Sequence, residues 1–282
     1  MMEPAAKARV IRAVSSDRQI RFSAVTSSAL WDGVRRGHPH LEATACACLV
    51  DALTAALLLQ ARTFFSERLQ LLFKTQGRAK AVVADAWPGG DIRGVIDLAD
   101  PSAGGWIEPP GLLQVMRSNP AGQPYIGHLE LVHGSVKAQV EAYLQQSEQV
   151  QASCTLWCDP ATGEAGGLLL EPLPACPPER LRRLLEAIDG LDVVPLWERD
   201  PEFLARWFNQ GDGAEILATT EVRYFCRCTE EGLLDTLAAF PEDRLNELFP
   251  GGESAEVRCD YCGNTYRVDP GRIAARRGAA NA

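Results

Sequence analysis

The chain has 282 residues, 46% of them hydrophobic and 23% charged, enough for one medium-sized core and a smaller second unit without disulfide staples. Its net charge of −9 and pI near 5.1 argue against nucleic acid as a partner, because polyanion binding is driven by Lys and Arg neutralising phosphates. Nine cysteines behind an N-terminus with no secretory pattern argue against an extracellular disulfide framework and predict reduced thiols or metal ligands in a cytoplasmic protein.

In chain order, the alternation of Ile20, Phe22 and Ala24 predicts a half-buried strand over 18–26, followed by a helix over 27–36. The most apolar stretch, Ala43 to Leu59, is interrupted by Thr44, Asp51 and Thr54 and falls short of a comfortable bilayer span. A buried helix over 43–61 is expected there, and no membrane partner. Strand-like runs at 69–75, 79–87, 92–99 and 125–134, separated by Pro and Gly, have the pattern of an antiparallel sheet. Ser135 is placed to cap a helix over 136–146, and 151–158 and 166–173 supply two more strands around an Asp159-Pro160 turn. Strands gathered together with helices at their flanks predict an α+β class, with a mixed core domain over 1–176.

Past Pro172, Pro174, Pro177 and Pro178 the character changes. Leu181, Leu184, Leu185 and Ile188 fall on one stripe of a charged helix that Gly190 ends. Asp200 as N-cap and Pro201 at the first helical position open a second helix with Phe203, Leu204, Trp207 and Phe208 toward one side. Neither helix can bury its apolar face alone, so 177–222 reads as a helical linker docked on another domain and marginally stable; a permanently packed helical subdomain fits the same pattern. The Ala- and Arg-rich end, Ala274 to Ala282, is expected to fray.

The last domain, 223–282, carries the strongest signal. Cys226-Arg-Cys228 and Cys259-Asp-Tyr-Cys262 are separated by thirty residues that contain no other cysteine and no histidine. Zinc favours four tetrahedral ligands, and four thiolates satisfy it. Side chains at i and i+2 of an extended segment share a face, so the first pair can reach one ion, and Gly263 lets the second pair sit on a tight turn. Sixty residues with so few large apolar side chains would fold poorly without a metal. Eight Arg, no Lys and ten Asp or Glu make this domain slightly acidic, unlike a nucleic-acid-binding ribbon. The histidines His38, His40, His128 and His133 lie far upstream and read as surface or core residues. Cys46 and Cys48 diverge around a helix, and Cys154, Cys158 and Cys176 read as packing thiols of unassigned role. No nucleophile elbow, phosphate loop or catalytically spaced carboxylate pair is present, so no enzyme is expected. An inert zinc ribbon that binds RNA or a ribosomal partner, and a thiol oxidoreductase working through Cys259 and Cys262, remain open on the residues alone.

The cysteine pattern with its thirty-residue spacer resembles the redox-regulated bacterial chaperones of the heat shock protein 33 family, the 33 kDa chaperonins. Tyr143 to Val150 (YLQQSEQV), Ala165 to Pro172 (AGGLLLEP) and Val222-Arg-Tyr-Phe225 are similar to further segments of that family, so the likeness spans the chain. Departures are Gly77-Arg-Ala-Lys80, where the family tends to have Gly-Gly-Pro, and Cys48-Leu-Val50, where it tends to have Leu-Gly-Arg. The resemblance implies an ATP-independent holdase for unfolding client proteins in the stress response. It implies one Zn2+ per chain on Cys226, Cys228, Cys259 and Cys262 in the inactive, reduced, monomeric state. Oxidation is implied to join Cys226 to Cys228 and Cys259 to Cys262, expel zinc, unfold the domain, free the linker's apolar stripes for clients and favour a homodimer.

Overall fold

The apolar stretch at 43–62 is the axle of the larger unit. The structure, a computed structural model, describes residues 8–63, 66–99, 102–118, 122–132, 134–189 and 214–280. The chain divides into two units, Met1–Phe225 and Cys226–Ala282. The first contains strands β1 (Ala8–Ser15), β2 (Ile20–Thr26), β3 (Arg68–Lys74), β4 (Ala79–Ala86), β5 (Asp91–Leu98), β6 (Leu112–Ser118), β7 (Tyr125–Glu130), β8 (Ser153–Cys158), β9 (Ala165–Pro172) and β10 (Ala214–Tyr224). Its helices are α1 (Ser28–Gly37), α2 (Ala43–Arg62), α3 (Val136–Ser147) and α4 (Pro178–Asp189). The second contains α5 (Glu230–Ala238), α6 (Glu242–Leu248), the hairpin β11 (Ala255–Arg258) and β12 (Thr265–Val268), and α7 (Pro270–Ala280). This is the expected α+β class.

The ten strands of the first unit form one curled sheet in the order β7-β6-β3-β4-β5-β10-β1-β2-β9-β8. All neighbours are antiparallel except β5 and β10, which pair in parallel through Arg223↔Asp91 and Tyr224↔Ile92. β10 therefore joins two five-stranded halves, and its last residues lead straight into Cys226. Residues 214–222, expected to belong to a helical linker, are strand instead. The cause is visible in their exposure, which alternates residue by residue, and in the β-branched Ile216, Thr219, Thr220 and Val222 that suit a pleated surface.

α2 lies in the concavity of the sheet against strands from both halves, with α1 and α3 beside it. It is long and apolar enough to cross a membrane by composition, but most of it is buried as a core helix. A helix apolar on nearly every side must be covered on nearly every side. Its five buried leucines each contribute up to about 1.5–3 kcal/mol of burial free energy. Two glycines let it approach the sheet: a Cβ on Gly94 would meet Leu49 and Leu53, and one on Gly167 would meet Thr54 Cγ2 at 2.6 Å. Gly167 thus serves helix packing. Of the polar residues on α2, Thr54 donates to Val50 O at 2.8 Å and Gln60 Nε2 donates to Glu67 O and Ala86 O.

The opposite face of β1, β2 and β9 carries a second apolar cluster of Ile11, Ala13, Ile20, Phe22, Ala24, Leu168 and Leu170. Leu184 of α4 packs into it. β1 and β2 are accordingly buried on both faces.

A chain of charges ties the family-like segments together. Glu148 accepts from Arg62, Arg117 and the Tyr143 hydroxyl, and Glu171 accepts from Arg62 at 2.6 Å and Arg21 at 2.9 Å. Glu148 and Tyr143 belong to YLQQSEQV and Glu171 to AGGLLLEP, so both segments meet at Arg62, the end of α2. Desolvation works to raise the Glu148 carboxyl, but Arg62, Arg117 and Tyr143 outweigh it and hold its pKa below the ordinary glutamate value. A depressed folded-state pKa makes this contribution complete above the ordinary glutamate range and lost as pH falls through the folded value. Glu148→Gln should therefore cost about 1–3 kcal/mol in urea unfolding at pH 7, with the gap between wild type and variant closing as pH is lowered.

Candidate metal centre

Cys226 and Cys228 stand in extended backbone immediately after β10, where i and i+2 side chains share a face. Thr229 ends that segment by capping α5, its Oγ1 accepting from the Gly232 N–H at 3.1 Å. Glu230 and Glu231 in the first turn complement the helix dipole. Cys259 and Cys262 sit on the turn of the β11–β12 hairpin. There the Cys259 N–H donates to Asn264 O at 2.8 Å and the Gly263 N–H to Cys259 O at 2.8 Å. Gly263 has φ of +75°, so the tight knuckle expected from the sequence needs its glycine.

The two pairs converge. All four sulfurs lie within 4.8 Å of one another, and among the described residues they are the group of Cys, His, Asp or Glu atoms close enough to share one ion. Cys226 Sγ is 3.8 Å from Cys259 Sγ and Cys228 Sγ is 3.4 Å from Cys262 Sγ. Sulfurs about 2.3 Å from a central zinc stand roughly 3.8 Å apart at the corners of a tetrahedron, so the residues fit the ion. The four clustered cysteines can hold a metal ion. Without a cation their charges oppose one another: burial pushes Cys259 and Cys262 upward, and for Cys262 hydrogen bonding by the other sulfurs adds to the rise. Burial also works against the Cys228 thiolate, yet hydrogen bonds from Tyr266 and the neighbouring thiols bring it below the usual thiol value. A bound dication would let all four ionise together, displacing protons as it does so.

Tyr266 is the site residue that cysteine spacing alone misses. Its hydroxyl lies 3.1 Å from both Cys228 Sγ and Cys228 O. Alternation along β12 is the signal that could have found it, since Tyr266 and the buried Val268 share the inner face.

The core of this unit is small: Leu234, Leu237, Phe249, Val268 and Ile273. Residues 274–280 of the tail expected to fray are helical, as the end of α7. α7 buries Ile273 and pairs Arg272 with Glu230, Arg276 with Asp235, and Arg277 with Ala238 O, which fixes a segment that composition alone marks as loose.

Of the linker residues, Leu184 is 5% exposed, while Leu181 and Leu185 are half-buried and line a groove of about 660 Å³ beside Pro172–Pro174. The side chain of Ile188, and Phe203, Leu204, Trp207 and Phe208 entirely, lie outside the described residues. Cys46, Cys48 and Cys154 are buried, and Cys158 and Cys176 half-buried. Burial raises all five of these thiols. His38 is a core residue, its Nε2 3.1 Å from Gly94 O and 3.2 Å from Tyr224 Oη.

The family model for Hsp33 protein matches residues 8–269. A 33 kDa chaperonin of Symbiobacterium thermophilum is 30% identical over 94% of this chain and 95% of its own length. One of Synechocystis sp. is 32% identical over 94% of each. The crystal structure of the 33 kDa chaperonin from Thermotoga maritima superposes with a TM-score of 0.81 at 20% identity, covering 98% of this chain and 99% of that one, which shows a shared fold.

Two outcomes follow from this geometry. Stripping metal with a strong chelator should collapse the amide spectrum of residues 226–280 and leave that of the first unit in place. Tyr266→Phe, which removes one hydrogen bond to a ligand sulfur, should weaken metal retention by about tenfold in chelator competition.

Proposed function

This chain belongs to the Hsp33 family, and on that premise we propose that it is a redox-regulated, ATP-independent holdase that captures unfolding client proteins once its C-terminal thiols are oxidised. The observation that carries this reading is the meeting of Cys226, Cys228, Cys259 and Cys262 within 4.8 Å, in a unit whose own core is five buried apolar side chains. In the reduced, monomeric protein the four thiolates would hold one Zn2+, whose binding to such modules supplies about 10–16 kcal/mol of folding free energy.

Metal-bound thiolates remain nucleophiles toward oxidants. Each pair, Cys226 with Cys228 and Cys259 with Cys262, gives up two electrons and forms one S–S bond. Hypochlorous acid accepts them and becomes chloride and water, or peroxide accepts them and becomes water. Four ligand sulfurs are consumed, and the unit loses the contribution that its small core cannot replace. The linker would then be released. Leu184 of α4 covers the apolar face made by Ile11, Ala13, Ile20, Phe22, Leu168 and Leu170, so lifting α4 would open that face to clients and to a second copy of the chain. A cytoplasmic location fits thiols that rest in the reduced state.

The test joins metal and thiol counting to a light-scattering assay of client aggregation, before and after hypochlorous acid. Oxidation should consume four thiols, release one zinc per chain and raise protection severalfold. Leu184→Glu, which loosens the cover without touching the thiols, should protect clients partially while still reduced. Equal protection by reduced and oxidised wild type would sink the switch.

A further inference from the structure

The accessible stripe of α2 is Thr44, Ala47 and Asp51, with Cys48 beside them. These residues floor a cavity of about 430 Å³, walled by Gly105–Glu108, by Gly134–Val136 at the start of α3, and by Cys158 and Pro160. That volume lies in the range of small-molecule sites.

Asp51 sets its chemistry. Oδ1 of Asp51 is shut off from solvent and has no hydrogen-bond partner among the described residues. A buried polar oxygen left unpaired is costly, and native interiors satisfy almost all of them. Burial alone pushes this carboxyl up to about 7. Glu108, whose carboxyl lies over Gly105, is the other charged group of the lining, and no Lys or Arg lines it among the described residues. Two carboxyls repel an anion. Among the described residues a group of three or more potential metal ligands close enough to share an ion occurs at the four C-terminal cysteines and not here, which disfavours a metal as the occupant. Burial raises the Cys48 and Cys158 thiols well above the usual thiol value, which makes them wall rather than reagent.

We propose that this cavity binds a small organic cation, a primary ammonium on an aryl or alkyl stem, with its charge on Asp51 and its apolar part along Trp106, Ile107 and Val136. Asp51 lines the cavity, so an ammonium there would pair with its carboxylate in the charge-assisted form that makes the strongest hydrogen bonds. The Trp106 ring, over which the Arg78 guanidinium already lies at 4.3 Å, adds apolar contact. The site lies within the first unit and is independent of the metal centre.

Phenethylammonium chloride, titrated into the full-length reduced protein at low salt and followed by calorimetry and amide chemical shifts, tests it. Saturable one-to-one binding is expected, with shifts centred on residues 44–51 and 134–136. Phenethyl alcohol, of similar shape without the charge, should bind at least tenfold more weakly. Asp51→Asn should lose about tenfold or more in affinity, and Ala47→Leu, which fills the cavity, should lose binding altogether; melting curves confirm that each variant is folded. The comparison of amine with alcohol on wild type stands even if a variant misfolds. Equal binding of amine and alcohol, shifts centred elsewhere, or no saturable binding at millimolar amine would overturn the assignment.

Discussion

Four thiolates cannot share a space less than 5 Å across without a cation among them, and the second unit is organised around that constraint. The extended Cys226–Cys228 segment and the Cys259–Gly263 knuckle lie more than thirty residues apart in sequence, and the sulfurs are where they meet. The helices and hairpin around them bury five apolar side chains. So small a core does little more than offset the conformational entropy of ordering the chain. A metal held by these sulfurs would make folding of this unit and possession of the ion nearly one equilibrium, so that whatever altered the sulfurs would alter the fold.

The first unit obeys a different rule. Its stability comes from an apolar helix packed against the ten-stranded sheet and from charges paired at the end of that helix. Thiol chemistry does not enter into it. Arg62 holds Glu148 and Glu171 at once, so a helix end, the end of α3 and β9 are fixed relative to one another. Removing a metal from the second unit leaves every one of these interactions standing. That separation of stabilising forces permits one part of a chain to unfold while another stays able to bind.

Much of this was legible in the residues, for reasons that can be named. The α+β class, α2, α3, most strands and the knuckle follow from periodicity and punctuation, since each has a plain pattern in sequence. β1 was not anticipated: it is buried on both faces, and ARVIRAVS shows no alternation to betray a strand. β6 has no plain pattern either, because in LLQVMRS the apolar Leu112 and Met116 on the outer face break the alternation set by the buried Leu113 and Val115. β10 was taken for linker because its alternation of modest apolar residues is weak beside the leucine stripe before it. The end of α7, from Ala274, reads as loose in sequence because Arg276 and Arg277 look like solvated charge until their partners, Asp235 and Ala238 O, are brought to them by the fold. Tyr266 was hidden for the same reason: its partner is thirty-eight residues away. Local pattern reports what a segment can become, whereas these contacts exist only once distant segments have met.

Nine cysteines in one chain raise the question of how an oxidant could select among them, and burial supplies an answer. Oxidation proceeds through the thiolate, so a thiol that burial holds protonated and out of reach is protected twice. Cys46, Cys48 and Cys154 are in that position, with Cys48 and Cys154 lifted far above the ordinary thiol value. The four C-terminal sulfurs are only partly buried, and a metal would keep them deprotonated at neutral pH. A cation held there would thereby keep the sulfurs in the form that an oxidant attacks, and two electrons taken from each pair would remove the ligands that held it in place. Stability and sensitivity are in this arrangement a single property, since a ligand set inert to oxidants, such as four imidazoles, would secure the first and forfeit the second.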